Sequence, residues 1–284
     1  MGGGWYLPTV SAGPRSYTDQ PCWISHATLP ALSPPIGPTG SCLLVLELVA
    51  PRKSTDASNR RCHAAGVART EFVVEGGGIP VEALARAMAD GMKPRLVVLV
   101  EGISDQVALR ALAGRRGRDL DAEGVQIVPM GGATKFNAFL ELLGPEGHDV
   151  RLAGLCDAAE EGHFQRGLER AGLGVDLTRS DLESLGFYVC VVDLEDELIR
   201  SLGPSAVEDV IAGRGQLGSF RSLQNQPAWR EGAHAEQLRR FIKARSGGAR
   251  QYGRLLVEAL DLSRVPRPLD GVLSHSSKGR WVVT

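Results

Sequence analysis

The sequence has no apolar run that approaches the roughly 20 residues of a membrane-spanning helix. Its longest apolar stretch, Cys42–Ala50, contains Glu47 and lacks the basic start and terminal position of a signal peptide. These absences argue against a membrane protein with helical spans and against a secreted one. We therefore expect a cytoplasmic protein.

Cysteine is also scarce. The five cysteines are an odd, widely spaced set with no C-x-x-C pair, which argues against a structural zinc site and against a disulfide framework. No G-x-x-x-x-G-K-[ST] motif occurs, and the similar stretch GPTGSC at 37–42 lacks the lysine. ATP hydrolysis by this chain is therefore not expected.

The chain as a whole has almost no net charge, with a formal sum of −1. Residues 95–213, however, carry 11 basic and 21 acidic side chains, whereas residues 214–284 carry 13 basic and 5 acidic ones. The acidic middle is followed by a basic tail. The near-zero sum therefore does not exclude a nucleic-acid partner, because phosphates bind to local positive charge.

Residues 1–78 hold 8 of the 16 prolines and show little periodicity, which predicts a disordered or loosely structured leader. A short helix is predicted after it, from Pro80 to Gly91.

Between residues 95 and 203, four apolar runs alternate with helical patterns. Such runs are typical of a mostly parallel, Rossmann-like sheet with helices on both faces, so the predicted class is α/β. After Gly203 the pattern is helical throughout, which predicts an all-helical C-terminal extension over 204–284. The predicted strands are Leu96–Val100, Val125–Met130, Leu152–Cys156 and Phe187–Val192.

Acidic residues or a glycine pair follow each predicted strand. Ligands bind outside the carboxyl ends of the strands in an open parallel sheet, so these side chains are expected to share one edge. Crowded carboxylates repel one another unless protons or cations intervene, and hard oxygen ligands suit Mg²⁺. The pattern predicts a divalent-metal site and phosphoryl chemistry, because two such ions can clamp both reacting oxygens of a phosphodiester. The acids are Glu101, Asp105, Asp157, Asp193 and Glu195.

The glycines at this edge also have predicted roles. Gly102 lets the backbone turn sharply, and the Gly131-Gly132 pair lets a phosphate or a neighbouring loop approach closely. Two of the acids have simpler interpretations as well: Asp105 suits the first turn of a helix, and Asp193 suits a helix N-cap.

These motifs resemble a known family. The stretches VVLVEGISD (97–105) and VVDLEDELI (191–199), the glycine pair, and Asp157 after LAGLC are similar to the Toprim domain, in particular the version in the OLD family of nucleases. The resemblance covers about 95–203, and the helical remainder to about 274 resembles actinobacterial Toprim-only relatives. It predicts a leader (1–78), a Toprim domain with its leading helix (79–203) and a helical extension (204–284).

The resemblance implies hydrolysis of phosphodiester bonds in DNA with Mg²⁺ or Mn²⁺. Glu101 matches the family's metal ligand or general acid–base, Asp105 matches the acidic partner one turn later, and Asp157 matches the first acid of a D-x-D motif. These three are the implied catalytic residues. Asp193 and Glu195 match an acidic pair used for a second metal ion.

The chain departs from the family at D-x-D, which reads Asp157-Ala158-Ala159, so Glu160 or Glu161 would have to supply the second acid. The ATPase domain of full-length OLD proteins is expected to be absent from this chain, and although an ATPase partner could act in trans, no motif in the sequence supports one. The family also uses a basic residue from the later helical region to steady transition-state charge. The candidates for this residue are Lys243, Arg245 and Arg250.

Two other interpretations stay open. A Toprim scaffold with an eroded metal site could act as a non-catalytic nucleic-acid-binding or regulatory module, and Ala159 in place of an acid favours it. A receiver-like phosphoacceptor domain would use Asp157, although Glu101-Gly102 replaces the usual acidic pair of such domains. The oligomeric state is not indicated by any motif.

Overall fold

The computed structural model describes residues 78–244 and 248–275. The predicted leader, apart from Gly78, lies outside the described residues, as does Arg245.

Four strands form one sheet in which all neighbouring strands are parallel, in the order β2-β1-β3-β4. Leu96 is paired with Val125 on one side and with Arg151 on the other, so β1 is central. The predicted α/β class with a parallel sheet is confirmed. Because the chain order reverses between β1 and β3, these strands flank the switch point at which ligands bind in such sheets. The strands are β1 (Leu96–Val100), β2 (Val125–Pro129), β3 (Arg151–Cys156) and β4 (Phe187–Val189).

Helices cover both faces of the sheet, and within the described residues none is long and apolar enough to cross a membrane. They are α1 (Val81–Ala89), α2 (Ile103–Arg115), α3 (Phe136–Leu143), α4 (Glu161–Arg170), α5 (Arg179–Ser184), α6 (Leu194–Leu202), α7 (Pro204–Gly213), α8 (Leu217–Gln224), α9 (His234–Lys243), α10 (Gly248–Ala259) and α11 (Arg267–His275).

Successive side chains of β1 enter two separate hydrophobic cores, as the two-residue period of a strand requires. Val97 and Leu99 lie in the core that contains α1, α3, α4 and α5. Leu96, Val98 and Val100 lie in the core on the opposite face, with α2 and all the helices from α6 onward. The continuous apolar run of β1 therefore reflects burial on both sides.

The C-terminal helices share this second core with the sheet. Leu238 of α9 and Leu256 of α10 lie in the same cluster as Leu109 of α2. Helix α10 packs along α2, and Arg115 Nη1 donates a hydrogen bond to the carbonyl oxygen of Val257 at 2.8 Å. The helical region is thus held directly against the α/β sheet.

The fourth strand is shorter than predicted. The backbone N–H of Cys190 still donates to the carbonyl oxygen of Cys156 at 2.9 Å, but the N–H of Val191 donates to Glu197 Oε1 at 2.7 Å. This bond turns the chain towards α6. Val191 and Val192 are consequently 58% and 40% exposed, although the prediction placed them inside a buried strand.

Candidate active site

Glu101 directly follows β1 and is held by both its side chain and its backbone. Its Oε1 accepts a hydrogen bond from the N–H of Asp157, which follows β3, at 2.8 Å. Its carbonyl oxygen accepts from the N–H groups of Gly131 and Gly132, which follow β2, at 2.9 and 3.1 Å. Glu101 therefore links the carboxyl ends of three strands. Burial raises the pKa of its carboxyl group, although the Asp157 N–H opposes the shift.

The glycine pair forms the turn after β2. Gly131 and Gly132 have φ values of 75° and 119°, in the region that favours glycine. A Cβ atom on Gly78 would lie 2.2 Å from the backbone nitrogen of Gly131, so the backbones approach closely here. Since both amides of the pair donate to the Glu101 carbonyl, the turn positions Glu101. A phosphate contact by this turn stays a prediction.

Asp105 lies in the first turn of α2 and is buried against the same edge. Its Oδ2 accepts a hydrogen bond from the N–H of Gly102 at 2.9 Å. Burial raises the pKa of Asp105 to about 7, and the charges of Glu195 and Glu101 add to the shift. The side chain thus caps the first turn of α2 and also lies close enough to Glu101 and Glu195 to interact with their charges.

Asp157 is the acid whose side chain is least restrained. Within the described residues its carboxylate makes no hydrogen bond or ion pair, although its backbone N–H binds Glu101. The pKa of Asp157 is raised to about 8. Burial is the largest cause, and the charges of Glu101, Asp105 and Asp193 also raise it. Asp157 therefore holds a proton at neutral pH more readily than an ordinary aspartate does.

Asp193 is the N-cap of α6, as the simpler interpretation predicts, and its Oδ1 accepts from the N–H of Asp196 at 2.9 Å. Its Oδ2 accepts from Arg239 Nε at 2.6 Å and from Lys243 Nζ at 2.7 Å. Burial alone would raise the pKa of Asp193, but these hydrogen bonds outweigh it and hold the pKa below its usual value. Both carboxylate oxygens are thus engaged.

Glu195 is buried beside Asp193 in the first turn of α6. Lys243 Nζ lies 3.6 Å from Glu195 Oε2, so this lysine lies between two acids. Burial raises the pKa of Glu195, and the charge of Lys243 opposes the shift. Burial would lower the pKa of Lys243, but Asp193 and Glu195 raise it, which keeps the ammonium charged.

Arg239 also lies at the site, although the sequence motifs select Lys243, Arg245 and Arg250 as the candidates for the family's basic residue. It lies one helical turn before Lys243 on α9, so the i, i+4 spacing places both side chains on one face. Other arginines of the basic tail point elsewhere: Arg240 lies over the ring of Trp229, and Arg254 pairs with Glu258. Arg250 is exposed on α10.

The missing second acid of D-x-D has two candidate replacements. Glu161 is paired with Arg179 through two guanidinium nitrogens, which holds its carboxylate. Glu160 Oε2 lies 3.5 Å from His163 Nε2. The charge of Glu160 contributes to the raised pKa of Glu101. Glu160 is therefore the candidate that is electrostatically coupled to the site.

Residues 95–158 match the family model described as "Overcoming lysogenization defect protein-like, TOPRIM domain". The chain contains an OLD-like Toprim domain. The matched residues include Glu101, Asp105 and Asp157, whereas Asp193 and Glu195 follow them.

Solved structures agree with this fold. The C-terminal region of the OLD protein from Xanthomonas campestris pv. campestris is 24% identical, with a TM-score of 0.52 over 64% of this chain and 91% of that one. The C-terminal region of the Burkholderia pseudomallei OLD protein is 21% identical, with a TM-score of 0.50 over 65% of this chain and 97% of that one. No curated protein matches the sequence.

Toprim domains generally bind divalent metal ions, and the donor chemistry here fits such an ion. Burial and, after it, the charges of neighbouring acids raise the pKa values of Asp105 and Asp157, and the Asp157 carboxylate has no hydrogen-bonding partner among the described residues. In the arrangement described for 78–244 and 248–275, however, no three acidic, histidine or cysteine side chains are spaced to hold a metal ion. Metal binding therefore requires these carboxylates to turn towards a common point.

Proposed function

We propose that this chain is a nuclease that hydrolyses phosphodiester bonds in DNA and depends on Mg²⁺ or Mn²⁺. One observation carries the proposal. Glu101 and Asp157 flank the switch point of the sheet and Asp105 lies beside them. Burial, with the charges of the neighbouring acids, raises the pKa of Asp105 to about 7 and that of Asp157 to about 8. The OLD-like Toprim match supports the same chemistry.

Glu101, Asp105 and Asp157 are the residues that would hold a divalent ion. Asp193 and Glu195 would take part in holding a second ion only after release from Lys243. A bound divalent cation would supply Lewis-acid stabilisation of the charge that develops on a phosphodiester.

The protein's own side chains have distinct tasks in this proposal. Asp157 N–H fixes the direction of the Glu101 carboxylate, and the two glycine amides fix the Glu101 backbone. Lys243 lies at the rim of the acids with 41% of its side chain exposed, so its ammonium can also contact a phosphate oxygen.

The proposal is tested by incubating purified protein with supercoiled and linear DNA in the presence of Mg²⁺ or Mn²⁺. Glu101→Gln and Asp157→Asn should each lower cleavage by about 100-fold or more, because they remove a charged ligand at the switch point. Glu141→Gln, an exposed acid on α3, is the matched control and should cleave like the wild type. Cleavage that survives Glu101→Gln would refute the proposed site.

A second candidate function is a non-catalytic nucleic-acid-binding or regulatory Toprim module. It is favoured by Ala159 in place of the second acid and by the full engagement of Asp193 with Arg239, Lys243 and the α6 amide. Metal-independent DNA binding together with no Mn²⁺ binding by calorimetry would support this function. A Mn²⁺ isotherm that Asp157→Ala abolishes would contradict it.

A further inference from the structure

An open groove of about 510 Å³ runs between α2 and α10 on the face of the molecule that carries the C-terminal helices. The two helices approach closely at Gly253, where a Cβ atom would lie 3.3 Å from the carbonyl oxygen of Ser104. The groove is lined by Val107, Arg110, Ala111, Gly114, Arg115, Arg254 and Glu258.

Three arginines and one glutamate give this groove a positive balance. Arg115 is committed to structure, because its Nη1 donates to the carbonyl oxygens of Val257 and Leu260 at the end of α10. The Arg110 side chain is 30% exposed and pairs with Asp121 at 3.6 Å, and the Arg254 side chain is 66% exposed. Exposed ion pairs of this kind contribute little stability, so both guanidinium groups can exchange partners at small cost.

The groove lies on a different side of α2 from the acidic edge. Asp105 and Arg110 are five positions apart on this helix, which corresponds to about 7.5 Å along the axis and about 140° around it. On the facing helix, exposed Arg250 precedes Arg254 by one turn and continues the positive surface towards Ser104. Arg110, Arg250 and Arg254 therefore place positive charge on the outer side of α2 and α10.

We propose that this groove binds the sugar–phosphate backbone of DNA, away from the reacting bond at Glu101, Asp105 and Asp157. This inference rests on the proposed function and adds a second contact surface for the same substrate. Ala111 and Gly114 form a floor without long side chains, so a backbone can lie close to the two arginines. Among the described residues that line the groove, none is aromatic and able to stack on bases, so the proposed contacts are with phosphates and are independent of sequence.

Binding is measured with metal-free protein in EDTA and a short fluorescein-labelled DNA duplex, by anisotropy between about 50 and 200 mM salt. The double variant Arg110→Gln with Arg254→Gln should weaken binding about tenfold or more and lower the slope of log K against log salt by about 1 for each arginine. Glu258→Gln removes the acid that pairs with Arg254 and should tighten binding about threefold. The control is Arg170→Gln, an exposed arginine on α4 on the other face of the sheet, and it should leave both quantities unchanged.

Equal slopes for the wild type and the double variant would overturn the inference, as would an equal loss in the Arg170 control. An absence of DNA binding by the wild type would also overturn it. These outcomes are separate from failure of the proposed function, because binding is measured without metal and cleavage is measured in its own assay. A protein that shows the predicted salt slopes but never cleaves DNA would retain the groove and lose the nuclease activity.

Discussion

The carboxylate of Glu101 accepts a hydrogen bond from the backbone N–H of Asp157 at 2.8 Å, across the two strands between which the chain order reverses. The bond brings the two acids of the switch point together without using the Asp157 side chain. The Glu101 carboxylate is therefore held in position, whereas the Asp157 carboxylate is available to a ligand.

Glu101→Gln and Glu101→Ala should have different effects on stability. The glutamine oxygen can still accept the Asp157 N–H and carries no charge, so its free energy of unfolding should equal or exceed that of the wild type. Alanine leaves the amide without its acceptor and should cost about 1–3 kcal/mol. Urea unfolding of metal-free protein measures both, and equal stability of the two variants would show that the bond contributes nothing.

Metal-free protein should lose stability as the pH rises from about 4 to about 8. The folded pKa values of Asp105 and Asp157 are about 7 and 8, against ordinary values of 3.8, so in this window the folded state holds protons that the unfolded chain has released. Thermal unfolding in EDTA at several pH values measures the trend. Asp157→Asn should flatten it, and a slope that is unchanged in this variant would contradict the assignment.

Removal of Lys243 should leave the buried negative charge of Asp193 with one cationic partner fewer. Lys243→Met is expected to lower the free energy of unfolding by about 1–3 kcal/mol, since Asp193 is 1% exposed and, among the described residues, retains only Arg239 as a cationic partner. Asp193→Asn in the same background should recover part of this loss. A double-mutant cycle from denaturant unfolding gives the coupling, and additive effects would contradict a direct ion pair.

Gly154→Ala should destabilise the sheet without any change of charge. A Cβ atom at this position of β3 would lie 2.6 Å from Phe187 Cδ1, and Phe187 is fully buried against Phe136. Overpacking of this kind costs about 1–3 kcal/mol. Gly218→Ala on α8, where a Cβ meets no other atom within 4 Å, is the matched control and should not lower the melting temperature.

The sequence predicts the parts of the fold that depend on local patterns. Apolar runs locate the strands, and the acids or the glycine pair after each run are placed at the edge by the strand direction alone. Asp105 and Asp193 occupy the helix-start positions that their spacing indicates.

The rest depends on contacts between distant segments. Arg239 binds Asp193 across 46 positions, and the run of apolar residues that ends at Val192 does not reveal that Glu197 draws the chain away after Cys190. Periodicity contains no information on either contact. The prediction of a buried Val191–Val192 is wrong for this reason.

The packing of α9 against the sheet also fixes an order of events during synthesis. Every acid of the candidate site precedes α7, whereas Lys243 lies 50 positions after Asp193. A growing chain therefore completes its acidic edge before it has the cations that balance Asp193. Until α9 emerges from the ribosome and docks, the acidic edge lacks these two cations and repels polyanions more strongly than the finished domain does.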